Sequence, residues 1–370
     1  MSALFSSVST TDWASASNIL NQQSPWGLIE RCLLVTGISF ITSYFFGWML
    51  TIGSFGLFLL LLAIGVPLIT FISYLTVTPE GKAIFVTGCD TGFGNALAKH
   101  LHSLGYVVFA GCFTKDSRGK GAVELEKEGE KTQRLFTVQL DVSSQESVTK
   151  AAKEVEQRLP KNCKGVWGIV NNAGWSTFGE VEWVPMDVYE KVASINLFGT
   201  MRVTKAFLPL IRVAKGRVVN VASILGRMGA PMRSPYCASK WGVEGFSECL
   251  RFEMRRWGVN VSVIEPGNYI AGTALYTKAS VDAQAKNMWE NMPEVVKDDY
   301  GKAYFDAKID QMHGYTATGS STIAPVIEAM TDALTRTFPS CRYQPMQLPE
   351  KIKVYVATHL PELVFDYIYT

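Results

Sequence analysis

Tyr236 and Lys240 stand four residues apart, so on an α-helix their side chains share one face. A free phenol loses its proton near pH 10, too late to serve as a base at neutral pH. An ammonium fixed beside it favours the phenolate and lowers that value. Tyr236 can then take the proton of an alcohol while hydride leaves the carbinol carbon, or return it in the reverse direction. Ser223 lies upstream, after the apolar run 217–222, where its hydroxyl could hold the oxygen on which Tyr236 acts. The segment Thr87-Gly88-Cys89-Asp90-Thr91-Gly92-Phe93-Gly94 could hold the hydride carrier. Glycines at a strand-to-helix turn let the backbone approach a pyrophosphate, whose charge then rests at the helix N-terminus. Singly, each feature has a plain reading: an exposed helix pair, a capping serine, an ordinary turn.

Such residues need a scaffold that gathers strand ends along one edge. Strand-like runs occur at 83–87, 107–111, 136–140, 168–171, 217–221 and 259–264, separated by helix-like stretches such as 95–104, 145–158 and 235–257. This alternation predicts an α/β fold, a Rossmann-like doubly wound parallel sheet covered on both faces. Residues 270–320 read as polar helices with interspersed aromatics, placed to cover a substrate. The apolar tail 352–370 suits packing on the domain, a partner copy or a membrane.

Ahead of this domain, 32–79 contains no Asp, Glu, Lys or Arg, roughly twice the ~20 residues that span a bilayer as a helix. We expect a two-helix transmembrane hairpin, near 32–51 and 57–76, turning at Gly53 and Gly56. The organisation is then a polar segment 1–31, two spans within 32–79, and a catalytic domain 80–370. The apolar stretch begins too late, and runs too long, for a cleaved signal peptide.

Composition narrows the partners. A net charge of +2 without basic clusters argues against nucleic acid. The seven cysteines form no C-x-x-C pair, which suits free thiols better than a disulfide framework or zinc. The four histidines are not spaced as ligands, so no metal is expected.

The motifs together resemble the short-chain dehydrogenases/reductases. Thr87 to Gly94 is similar to the family's T-G-x-x-x-G-x-G. Asn171-Asn172-Ala173-Gly174, Ser223, the Y-x-x-x-K of Tyr236 to Lys240, and Pro266-Gly267 follow in the family's order. The resemblance covers the chain from about residue 81. It implies Asn196, Ser223, Tyr236 and Lys240 as the catalytic set, with Asn196 positioning a water in a proton relay and Lys240 also gripping the nicotinamide ribose. It implies cofactor contacts at Gly88, Thr91, Gly92, Phe93, Gly94, Asp141, Val142, Asn171, Ala173, Gly174, Tyr236, Lys240, Pro266 and Gly267, with Asp141 at the adenine. In this family an acidic residue ending the second strand binds the adenosine ribose, whereas a basic one there, or before the second loop glycine, pairs with a 2′-phosphate. Here Cys112 ends that run, Thr91 precedes Gly92, and Lys115 lies beyond. With no cation close by, NAD is expected and NADP is the lesser alternative.

Within the family, stretches such as Ser176-Thr177-Phe178-Gly179-Glu180 and Arg233-Ser234-Pro235-Tyr236-Cys237 resemble the hydroxybutyrate dehydrogenases. The apolar N-terminus instead resembles membrane-bound hydroxysteroid and retinol dehydrogenases. A small alcohol/ketone substrate of hydroxybutyrate type is therefore expected. A steroid or retinoid is the alternative, and a non-catalytic NAD-binding scaffold the remaining one. A hydroxy acid needs a cation for its carboxylate, and Arg227 and Arg233 are both candidates. Trp175, Trp183, Met228, Met232, Trp289 and Met292 could line an apolar pocket, or be core. The first twenty residues hold no Lys or Arg, unlike an Arg-rich mitochondrial leader. Endoplasmic reticulum membrane is favoured, with the mitochondrial inner membrane as the alternative. By family analogy a homo-oligomer is expected.

Overall fold

The computed structural model describes residues 25–46, 54–273 and 275–369. It forms two units. One runs to Thr78 and takes in Thr335–Pro339; the other comprises Pro79–Leu334 and Ser340–Thr370.

In the first unit, helices α1 (Pro25–Phe46) and α2 (Ser54–Tyr74) pack on each other. Phe40 meets Phe58 edge-on with ring centroids 6.3 Å apart. A Cβ on Gly65 would stand 2.8 Å from Val35 Cγ1, so the bare glycine lets the helices close up. Thr36, Thr70 and Ser73 turn their hydroxyls onto the carbonyls of Cys32, Val66 and Ile69, satisfying them without water. The stretch Phe55–Tyr74 is long and apolar enough to cross a bilayer, whereas the apolar part of α1, Cys32–Tyr44, is shorter. The expected pair of spans thus corresponds to one helix of spanning length among the described residues. Both helices begin earlier than expected, α1 at Pro25, a residue suited to a first helical turn. Residues 47–51 of the expected first span lie outside the described residues.

The second unit opens with β1 (Ala83–Thr87), α3 (Gly92–Ser103), β2 (Val107–Cys112), α4 (Lys120–Glu130), β3 (Leu135–Gln139), α5 (Gln145–Arg158) and β4 (Val166–Asn171). It continues with α6 (Met186–Ala193), a π-helical turn (Ser194–Phe198), α7 (Gly199–Ala214), β5 (Arg217–Val221), α8 (Ser234–Met254) and β6 (Asn260–Ile264). Helices α9 (Lys278–Asn291), α10 (Glu294–Tyr300), α11 (Lys302–Tyr315) and α12 (Ala324–Thr335) precede β7 (Arg342–Tyr343), α13 (Leu348–His359) and α14 (Glu362–Tyr369). The strands make one parallel sheet in the order β3-β2-β1-β4-β5-β6-β7. The short β7 went unread in the sequence.

Alternation along each strand feeds two cores. Ile84 and Val86 join Leu97 and Leu101 of α3 and Met330 and Leu334 of α12. Ala83 and Phe85 join Val148 of α5, Phe207 of α7 and Leu250 of α8, and Phe85 stacks on Phe207 at 4.4 Å. Each large apolar side chain buried this way contributes about 1.5–3 kcal/mol. The strand order reverses between β1 and β4, which opens a crevice at their carboxyl ends. A third core, with Phe178, Trp183, Tyr276, Met288, Phe305 and Met312, gathers the helices after β6.

A buried polar chain sets the register of α8 against the sheet. Asn171 Nδ2 donates to Thr204 Oγ1 (2.9 Å) and Asn220 Oδ1 (2.8 Å). Asn220 Nδ2 donates to Ser247 Oγ at 2.8 Å. Four elements, β4, α7, β5 and α8, are thereby pinned together, the last of them the helix that carries Tyr236 and Lys240.

Candidate active site

The glycine loop leaves β1 with Gly88 at φ +70° and Gly92 at φ +60°, backbone that favours glycine. A Cβ on Gly94 would fall 2.3 Å from Gly88 O and 2.7 Å from Asn172 Nδ2. Thr87 locks this turn to the end of β4: its Oγ1 accepts from Asn172 N (3.0 Å) and Ala173 N (2.9 Å). Asn172 Nδ2 donates to Thr87 O (2.9 Å) and Gly88 O (3.2 Å). The loop's Asp90 takes Phe113 N and Thr114 N at 2.8 and 2.9 Å, tying it to the end of β2. Thr91 precedes the first turn of α3 without capping it, and that turn has no acidic residue. A cradle that only glycine fits, at an uncapped helix N-terminus, suits a pyrophosphate.

The other expected cofactor residues divide. Gly174 lies beside the catalytic groups, and Phe93 packs edge-on against Tyr269 at 5.8 Å. Asp141 holds Ser143 through one carboxylate oxygen. Val142 and Asn171 turn their side chains into the core, Val142 against the bare Gly199; only their backbone can reach a ligand. Asn172, passed over in the sequence, clamps the loop instead; its adjacency in the N-N-A-G motif was the available signal.

The turn after β6 is held from both sides. Pro266 O accepts from Ile224 N at 2.9 Å, and Gly267 N donates to Pro345 O at 3.2 Å. Asn268 N donates to Glu350 Oε1 at 2.8 Å, while Glu350 Oε2 accepts from Gln347 N at 2.8 Å. A Cβ on Gly267 would stand 2.3 Å from Glu350 Oε2, so the glycine makes room for that carboxylate.

Four elements bring the catalytic candidates together. Ser223 caps the short turn after β5, its Oγ accepting from Leu225 N, and its hydroxyl lies near enough to the Tyr236 phenol to favour the ionised form. Lys240 Nζ donates to Val221 O at 2.8 Å and stands 5.6 Å from the centre of the Tyr236 ring. Asn196 sits in the π-helical turn, a feature frequent at functional sites. Its Oδ1 accepts from Trp175 N (2.8 Å); its Nδ2 donates to Trp175 O (2.9 Å) and Ser239 Oγ (3.0 Å). A Cβ on Gly174 would lie 3.4 Å from Asn196 Oδ1 and 3.8 Å from Lys240 Nζ, so all three converge.

The electrostatics depart from the expectation that Lys240 lowers the Tyr236 pKa. Burial pushes the phenol well above 10, and the nearby Ser223 hydroxyl opposes this only in part. Burial also pulls the Lys240 ammonium down to about 8, opposed by Glu244 one turn on. Both groups are held toward neutrality by desolvation.

The two arginines separate. Arg227 faces Glu265 at 3.9 Å, in a group where Arg342 bridges Glu265 and Glu244. Arg233 is buried, with Nη1 donating to Tyr276 Oη at 2.7 Å. Of the expected pocket residues, Trp183 and Met292 are buried in the third core, and Met232 and Trp289 pack against it. Trp175 instead lies under Lys191 at 4.4 Å, and Met228 is buried apart from that cluster.

Comparison with known proteins agrees with this architecture. The family model for short chain dehydrogenase matches residues 82–283. The chain is 55% identical over 290 residues to D-beta-hydroxybutyrate dehydrogenase, mitochondrial, from Rattus norvegicus, covering 78% of this chain and 84% of the relative. It is 39% identical over 292 residues to 17-beta-hydroxysteroid dehydrogenase type 6 of Homo sapiens, covering 79% and 88%. A short chain dehydrogenase/reductase from Burkholderia phymatum, solved with NAD, superposes with TM-score 0.58 at 21% identity, covering 75% of this chain and 93% of that one. That likeness concerns the fold. With its glycine cradle, its Tyr-Lys helix and its parallel sheet in place, and with relatives matched along most of their length, the chain belongs to the short-chain dehydrogenase/reductase family.

Proposed function

We propose that this protein interconverts a secondary alcohol and a ketone on a short 3-hydroxy acid of the D-β-hydroxybutyrate type, with NAD as cofactor. The observation that carries the substrate is the 55% identity to a hydroxybutyrate dehydrogenase across most of both chains. The substrate hydroxyl would sit between Ser223 and Tyr236, whose hydroxyls lie near each other. The nicotinamide supplies the hydride acceptor for oxidation and the donor for reduction. Tyr236 takes the hydroxyl proton as the carbonyl forms, and Ser223 holds the oxygen during transfer. Lys240, fixed on Val221 O, can reach the ribose hydroxyls. Asn196 orders Trp175 and Ser239 beside Lys240, where a relay water would pass the proton onward.

Preference for NAD is supported at the end of β2. Lys115 and Arg118 face Glu154 at 3.9 Å and Glu126 at 2.9 Å, leaving neither dedicated to a 2′-phosphate. Anchoring in a bilayer, of the endoplasmic reticulum or the mitochondrion, is supported by the length and exposure of α2; fractionation against markers of each assigns the membrane. Assembly into a homo-oligomer is supported by Trp241 and Phe252, exposed on α8. Light scattering in detergent that returned the mass of one chain would overturn it.

The second reading is a steroid or retinol dehydrogenase. It is favoured by α2 and by the 39% identical hydroxysteroid dehydrogenase. The deciding assay offers detergent-solubilised protein 3-hydroxybutyrate, estradiol and retinol with NAD and follows NADH. Turnover of the acid alone supports the proposal; turnover of only the steroid or retinol replaces it. Tyr236→Phe should abolish turnover and spare NAD binding, and near-normal activity in that variant would refute the assigned acid/base.

A further inference from the structure

Arg233 begins the catalytic helix one turn before Tyr236, at the N-cap of α8. Its side chain is enclosed, with 7% of the residue exposed. Among the described residues no carboxylate lies within 4.0 Å of its guanidinium. Nη2 instead faces Met312 Sδ at 3.2 Å, and a thioether is a weak acceptor. The rings of Tyr276 and Tyr315 flank it at 5.1 and 4.5 Å. Burying a guanidinium without an anion is costly, and Arg227 and Arg342 elsewhere in the domain meet carboxylates.

The surroundings of Arg233 are built. Tyr276 Oη accepts from Arg233, gives its proton to Thr177 O at 2.8 Å, and accepts from Ser176 Oγ at 2.5 Å. Tyr276 and Tyr315 lie close enough to Tyr236 to influence its ionisation. Arg233 thus touches both phenols, and both phenols neighbour the acid/base on the same helix end. An α-helix rises about 5.4 Å per turn. A 3-hydroxy acid, with one methylene between carbinol carbon and carboxylate, spans two groups one turn apart.

We propose that Arg233, held by Tyr276 and Ser176, receives the substrate's carboxylate, so that the site selects a 3-hydroxy carboxylate over a neutral secondary alcohol of the same size. This rests on the short hydroxy acid proposed above as substrate. The guanidinium edge that meets only Met312 is the edge offered to the anion, and the N-terminus of α8 adds a favourable dipole. Arg227, already engaged with Glu265, takes no part.

The test uses the full-length protein in detergent. Wild type, Arg233→Met, Arg233→Lys, Tyr276→Phe and Arg227→Met are compared on 3-hydroxybutyrate and on its methyl ester, with competitive inhibition by butyrate as a reading that needs no turnover. Arg233→Met should lose about a hundredfold in kcat/KM on the acid and in butyrate affinity. Its ester turnover should change less than about threefold, and its NAD affinity should hold. Arg233→Lys should fall between, and Tyr276→Phe should weaken the acid mainly through KM. Arg227→Met should leave the acid-to-ester ratio alone. If Arg233→Met does not fold, the lysine and Tyr276 variants carry the test. An unchanged ratio and unchanged butyrate inhibition in the Arg233 and Tyr276 variants overturn the receptor. A wild type that ignores 3-hydroxybutyrate overturns the substrate reading itself.

Discussion

Replacing Lys240 by methionine should stabilise the protein at neutral pH while ending its turnover. Burial lowers this lysine from the usual 10.5 to about 8. Its folded pKa lies below the unfolded one, so the unfolded chain binds the proton more tightly and folding suffers wherever the group is charged. The penalty is complete below about pH 8, shrinks between pH 8 and 10.5, and is gone above. That interval, at about 1.4 kcal/mol for each tenfold in proton affinity, amounts to roughly 3 kcal/mol. Methionine escapes it but gives up the bond to Val221 O, about 1–2 kcal/mol. The net advantage at pH 7 is then about 1–2 kcal/mol. The assay is the denaturation midpoint of wild type and variant in one detergent, from pH 6 to 10.5. The variant should lead at pH 7 and lose its lead as pH rises. A lead that stayed constant across pH 8 to 10.5, or none at pH 7, would refute the reasoning. The outcome expected is the trade between stability and activity found where a site holds a charge in a dry place.

Substitutions at two further positions test the cofactor cradle. Gly94→Ala places a methyl group 2.3 Å from a backbone oxygen that cannot swing away; NAD affinity should fall at least about tenfold by fluorescence titration, and unaltered affinity would show that the loop has room. Thr87→Val strands the amides of Asn172 and Ala173 at about 1–3 kcal/mol each, so the unfolding midpoint should drop by about 2–6 kcal/mol equivalent. Thr87→Ser should keep most of that stability.

What could be read beforehand depended on how local the signal was. The strand runs 83–87 and 217–221 and the helix 145–158 match the structure residue for residue, because their apolar period and flanking turns are complete within a few residues. The same holds for Tyr236 with Lys240, a pair set by helical pitch alone. Long-range facts were not available. Nothing near Arg227 or Arg233 in the chain says which meets Glu265 and which meets Tyr276, since those partners arrive from just after β6 and from the segment before α9. The raised pKa of Tyr236 was out of reach for the same reason: its cation is encoded four residues away, but its desolvation comes from the whole fold. Strand β7 has two residues and borrows its hydrogen bonds from β6, too short for any periodicity.

The contact of Glu350 with Gly267 and Asn268 couples the C-terminal segment to the turn after β6, and through it to the cofactor that we propose this turn touches. Two segments that hold each other share one coupling free energy, and it acts equally in both directions. Whatever favours the turn 266–268, a dinucleotide included, tightens the first turn of α13 by the same amount. Whatever grips or frees the last helices is felt at the turn 266–268. On the proposed cofactor placement, the end of the chain is a second handle on cofactor affinity, acting at a distance from the glycine cradle and without touching it.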